Sequence, residues 1–188
     1  MDSYLKRLQD AIAAATQAMT LDELLRHAPG KWSVAEVLEH LFLTYTGTTR
    51  GFTRCLEAGK PLAGPLTLKQ RVAIAAVTGA GYFPSGRKAP KQTEPKGLSA
   101  ETVMAGIGPQ IVAMDEVITR CESRHGKRAR LLDHPVLGPL TAQQWRKFHW
   151  VHGKHHVKQI QRLRLSSEKV VLTRTKPSAE PRARARSE

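Results

Sequence analysis

Four of the chain's eight histidines fall within eight residues, in 147-KFHWVHGKHHVKQIQRL-163: His149, His152, His155 and His156. Imidazole near neutral pH can ligate a metal, move a proton, or simply add to a basic surface. Helical spacing sorts these possibilities. Residues three, four or seven apart share a helix face. His149, His152, His156 and Gln159 therefore form one stripe, with Trp145 at its start. His155 is turned about 100° from His156, which predicts that His155 faces solvent. The pair His152–His156, at i and i+4, can place two nitrogens on one ion, as the histidines of H-E-x-x-H do. Two ligands do not make a tight site, so a third must come from another element.

The best donor is His40, in 36-EVLEHLFL-43, at the edge of an apolar stripe. A histidine facing a core needs partners for its ring nitrogens. Metal ligation is one solution; a hydrogen bond to water or a backbone carbonyl is the other. His149 shares the stripe of His152 and His156. It stays a candidate for a fourth ligand, a general base or a pocket-lining residue.

The elements that must position these residues are helical. Leu5, Leu8 and Ile12 predict a first helix over about 3–19. Capping boxes at 20-TLDE-23 and 33-SVAE-36 start a short helix and then a long one, which carries Val34, Val37, Leu38, Leu41 and Phe42 through to about Cys55. The chain turns at 59-GKPLAGP-65, and a short helix is expected at 67–77. Then 79-GAGYFPSGRKAPKQTEPKG-97 reads as a long basic loop, of a length that is usually functional or mobile. A third long helix starts at Ser99 with Val103, Ile107, Ile111, Met114 and Ile118, and Gly106, Gly108 and Pro109 are expected to loosen its first part. A tight turn, 134-HPVLGPL-140, leads to Thr141 and Gln144, a further capping pair, and to a last helix ending near Leu165. The expectation is an all-α four-helix bundle over 1–165, with a long crossover between its second and third helices. Residues 166–188 form a basic tail in which 168-EKVVLTR-174 reads as extended and the remainder as disordered.

The formal charge is +14, of which six basic and three acidic residues place +3 in the tail. Such a field favours anionic partners, from small carboxylated or phosphorylated molecules to nucleic acid. No basic stretch interleaves aromatics for base stacking, so any nucleic-acid binding would be nonspecific. Cys55 and Cys121 lie apart, without a C-x-x-C partner, a neighbouring histidine or a helix N-terminus, so nothing marks a thiolate nucleophile. The first residues, 1-MDSYLKRLQDAIAAATQAM-19, lack the apolar run of a signal peptide. The most apolar run, 72-VAIAAVTGAGYF-83, is too short to span a bilayer. A soluble, cytoplasmic protein is expected.

The segments 30-GKWSVAEVLEHL-41 and 148-FHWVHGKHHVKQI-160 resemble the motifs of the DinB-like superfamily of small four-helix bundles. The first is similar to its Trp-Ser helix start followed by a histidine, the second to its terminal H-x-x-x-H-x-x-Q. The segment 134-HPVLGPLTAQQW-145 resembles the branch of that superfamily described only as a domain of unknown function. The resemblance covers most of residues 1–165. It implies a divalent metal held by His40, His152 and His156, with Gln159 behind them. Val157 and Lys158 stand where the family carries a glycine-arginine, so any substrate contact made by that arginine does not carry over to this chain, while the metal ligands do. Three neutral histidines leave an open coordination position, the pattern of catalytic zinc. Imidazole suits zinc, nickel and iron alike.

Two functions follow. One is a metal-dependent enzyme that activates a low-molecular-weight thiol or a water, a transferase or hydrolase acting on a small anionic substrate, with 86-GRKAPK-91 as an attracting loop or a plain solvated connector. The other is a basic bundle that binds nucleic acid or another anionic partner without chemistry. Bundles of this kind often pair through an exposed helix face, which admits a homodimer, although no patch requires one.

Overall fold

A computed structural model describes residues 1–27, 29–83, 86 and 88–174. The fold is mostly helical, with six α-helices and one small sheet: α1 Ser3–Thr16, α2 Leu21–Leu25, α3 Val34–Glu57, α4 Leu68–Ile74, α5 Ala100–His125, β1 Arg130–His134, β2 Gly138–Thr141 and α6 Ala142–Arg174. No helix among the described residues is long and apolar enough to cross a membrane.

Local chemistry sets the helix starts. Thr20 and Ser33 each accept from the amide three residues on, while Glu23 and Glu36 reach back to the cap amides. Thr141 and Gln144 exchange the same pair of bonds at the start of α6. The expected apolar positions meet in one core: Leu5, Leu8 and Ile12 from α1, Val37, Leu38 and Leu41 from α3, and Val103, Ile107, Ile111, Met114 and Ile118 from α5. On α6 much of the inward face is aromatic or imidazole, with Trp145, Phe148, His149, His152 and His156 all buried.

Side-chain contacts give the helix directions. Lys147 lies over the ring of Tyr4, and Arg164 donates to the carbonyl of Gln17, so α1 and α6 run parallel. Gly106 faces Phe42, Gln110 donates to Thr49 and Arg124 donates to the carbonyl of Leu56, so α3 and α5 are parallel too. Phe52 meets Trp145, Tyr45 meets His149, and His40 meets His152, so α3 runs antiparallel to α6. Two parallel neighbours cannot be joined by a tight turn. That is why 58–99 is a long crossover, built from α4, a π-helical turn at Ala75–Gly79 and a 3₁₀ turn at Lys91–Thr93.

Three expectations need correction. The turn expected at 134–140 is the tip of an antiparallel hairpin, β1–β2, so the fold is not purely helical. Its signal was weak because the second strand, Gly138–Thr141, contains Gly138 and Pro139, which are poor strand formers. The segment 168–174 is not extended: α6 continues to Arg174, since no glycine or proline interrupts the sequence between Gly153 and Pro177. The tail beyond 174 lies outside the described residues. Finally, α5 is one continuous helix despite Pro109, and Gly106 there has a packing reason: a Cβ would sit 3.0 Å from the ring of Phe42.

His134 ties the hairpin together. Its Nδ1 accepts from the amides of Val136 and Leu137, each at 3.1 Å, and its ring packs on Trp145 and Phe148. Burial pushes its pKa down to about 4. The folded value lies below the unfolded one, near 6.5. The stabilisation is therefore whole above pH 6.5 and is lost as pH falls through the folded value. Urea unfolding of wild type and His134→Ala should show a stability gap at pH 7 that shrinks towards pH 4.

A second expectation concerns Gly153. A Cβ there would lie 2.1 Å from Cδ1 of Leu8, a side chain buried in the α1–α6 contact. Alanine gains about 1 kcal/mol of helix propensity, but overpacking a closed core costs about 1–3 kcal/mol. Gly153→Ala should lower the urea midpoint; a raised midpoint would show that Leu8 has room to move.

Candidate metal centre

The antiparallel packing of α3 on α6 brings His40, His152 and His156 together, and their ligand nitrogens all lie within 4.8 Å of one another. Nε2 of His152 is 3.3 Å from Nε2 of His40 and 3.0 Å from Nε2 of His156. All three residues are buried, at 4%, 6% and 8% exposure. Two of the outer nitrogens are committed. Nδ1 of His40 lies 2.8 Å from the carbonyl oxygen of Thr93, and Nδ1 of His156 lies 2.9 Å from Oε1 of Gln159. Each Nδ1 therefore carries the proton and donates it, which leaves each Nε2 as a bare lone pair pointing inward.

The surroundings are apolar. Phe148 stacks flat on His152, Trp32 packs on His40, and Phe83 from the crossover touches both His152 and His155. Burial holds His40 below the usual histidine value. It takes His156 down to about 3, helped by the neighbouring His40. It also holds His152 well below the usual histidine value, with His156 and His40 adding to the effect. Neutral imidazoles are the form that binds a metal.

His149 is not among the three. It is fully buried between Trp145, Phe148 and Tyr45, and burial with a contribution from His134 takes its pKa down to about 3. His155 does not face open solvent as expected; it is half-buried, with its ring against Phe83 and His156. The reason is the crossover, which covers this side of α6. Cys55 and Cys121 are free and buried. Burial pushes the Cys121 thiol up to about 12, so it is no thiolate nucleophile. Arg87 of the basic loop lies outside the described residues.

Sequence reasoning missed Glu39. Its carboxylate, 1% exposed, accepts from the amides of Lys96 at 2.7 Å and Gly97 at 3.1 Å. This clamps the end of the crossover against α3, next to the Thr93 carbonyl that orients His40. The available signal was a glutamate among apolar residues, directly before the candidate histidine. The Thr93 carbonyl and Phe83 carried no signal, because both come from a loop whose path the sequence does not reveal.

Residues 5–163 match the family described as "Protein of unknown function (DUF1569)", and the chain belongs to it. No curated protein and no solved structure matches the chain.

Glu39→Ala leaves two amides without their acceptor. Hydrogen bonds to a charged group contribute about 1.5–3 kcal/mol each. The variant should lose about 3 kcal/mol or more in urea unfolding, with faster hydrogen exchange at the Lys96 and Gly97 amides. Unchanged exchange would show that the crossover is held by other contacts.

Proposed function

We propose that this family member is a metal-binding bundle of the DinB-like type, in which His40, His152 and His156 hold a divalent ion used to activate a low-molecular-weight thiol or a water. One observation carries the reading. Nε2 of His40 and Nε2 of His156 both face Nε2 of His152 as bare lone pairs, and the His152 atom can offer at most one proton between them. Without a cation, at least one buried contact sets acceptor against acceptor, which is costly in an apolar site. A cation among the three nitrogens satisfies every lone pair at once.

Held by three neutral imidazoles, the ion would keep an open position and act as a Lewis acid there, lowering the pKa of a thiol or water bound to it. The chain's own residues do the remainder. Thr93 and Gln159 fix which nitrogen of His40 and His156 faces inward. Phe83, Trp32 and Phe148 exclude water and keep the rings neutral. No protein thiol is placed to act as nucleophile, which supports an external one. A cleft of about 430 Å³ between α4, the π-helical turn and the start of α6 is lined by Arg71, Arg130 and Lys147 and by no carboxylate, which favours anions there, although none of the three histidines lines it.

The test is metal analysis of untagged protein. Wild type should carry close to one divalent ion per chain, and His152→Ala should lose most of it. Thiol-dependent conjugation of an electrophile, or hydrolysis, should then fail in the metal-free protein and return on adding the ion. Unchanged metal content in His152→Ala would sink the site, while activity that survives metal removal would sink the mechanism.

A further inference from the structure

Two of the three converging histidines have a partner for the outer nitrogen; the third does not. Nδ1 of His152 is buried with no hydrogen-bond partner, and so are both ring nitrogens of His149 and the hydroxyl of Tyr45. Among the described residues six buried side-chain nitrogen or oxygen atoms lack a partner, and four of them belong to these three side chains. The three side chains are also neighbours. His149 lies one helical turn before His152. The rings of Tyr45 and His149 meet edge-on at 5.5 Å, and Phe148 packs on both His149 and His152. The Tyr45 hydroxyl lies over the bare helix backbone at Gly153, 3.3 Å from where a Cβ would be.

Scattered orphans in a structure can be read as local strain. Four on three neighbouring side chains are different, because each buried polar atom left bare costs about as much as a lost hydrogen bond or more. Each ring offers one N–H and one lone pair, and the phenol offers both a donor and acceptors. This mixture suits ordered water, which needs two to four polar partners in a small polar chamber. A metal-ligating histidine, in turn, needs its outer N–H held by an acceptor.

We propose that Tyr45, His149 and Nδ1 of His152 enclose ordered water, and that His149 is thereby a positioning residue for His152. The outer N–H of His152 donates to the water, and the water is held by His149 and the Tyr45 hydroxyl. His149 then serves neither as a fourth ligand nor as a base. It supplies through water what Thr93 and Gln159 supply directly to the other two rings. This inference rests on the three-histidine reading for its functional part, while the water chamber itself is a property of the metal-free chain.

The test uses the full chain with Co²⁺ as probe. His149→Phe keeps an aromatic ring against Trp145, Phe148 and Tyr45 but removes both nitrogens. It should weaken Co²⁺ binding about 10–100-fold and shift the visible absorption of the bound ion. His149→Gln, which restores a donor and an acceptor, should recover part of the affinity. Tyr45→Phe should weaken binding less, and the double variant should be non-additive, as a shared water requires. The same pair is measured by urea unfolding without metal, where each single variant should lower the midpoint. Co²⁺ binding and absorption unchanged in His149→Phe would overturn the positioning role. Unchanged or raised urea midpoints in both single variants would overturn the chamber. If wild type takes up no Co²⁺, the metal reading fails, and the urea measurements alone decide the chamber. If His149→Phe does not fold, Tyr45→Phe, which removes a single oxygen, decides it in the same two assays.

Discussion

Nε2 of His152 faces Nε2 of His40 and Nε2 of His156 in a buried space, and several features of the fold hold the three rings there. Antiparallel packing of α3 on α6 sets the level at which the rings meet. Gly153 lets α6 approach Leu8 of α1, so α6 is seated against α1 on one side while it presents histidines to α3 on the other. The crossover then closes the third side. It is fixed where it matters: Glu39 takes two of its amides, and the adjacent Thr93 carbonyl takes the proton of His40. A buried carboxylate on backbone amides is a charge-assisted clamp, and it stands one residue from the histidine whose partner it steadies.

The other end of the helices is held by different chemistry. Arg146 is buried and donates to Asp115, Glu122 and Thr119, and Asp115 also accepts from the amide of Asp2. One guanidinium thus ties α6 to α5, and through Asp115 to the start of α1. Breaking such a network by removing one partner leaves an uncompensated charge in the core, which is strongly destabilising. On the same helix His152 lies about two turns, and His156 about three turns, beyond Arg146.

Sequence carried the helices and the stripe because both depend on local rules. The capping boxes at Thr20 and Ser33 and the apolar positions of α1, α3 and α5 are periodic signals, and they reappear in the structure where the spacing puts them. The histidine stripe was equally legible, since helical phase separates His155 from His156 without any knowledge of the fold. What was not legible is non-local. The hairpin at 130–141 has strands of only five and four residues, with a proline in the second, and its stability comes from His134 capping the tip and packing on α6. The half-burial of His155 depends on Phe83, 43 residues beyond His40 in a loop with no periodicity. Glu39 reads as a solvated glutamate until the amides of Lys96 and Gly97 arrive from the far end of the crossover.

The donor set also bears on whether the site is built for structure or for chemistry. Structural zinc sites use thiolates whose charge neutralises the ion. Here both cysteines are buried elsewhere, and the nearby carboxylate of Glu39 is already occupied by two amides. An ion on His40, His152 and His156 would keep its full double charge, in apolar surroundings and in a chain of net charge +14. Low local polarity magnifies that charge rather than screening it. The open position would therefore favour an anion strongly over a neutral group, which is the condition that turns a thiol into a thiolate or a water into hydroxide at neutral pH. In the proposed metal reading, the neutral donor set thus leaves the ion's charge to be balanced by whatever occupies the open position.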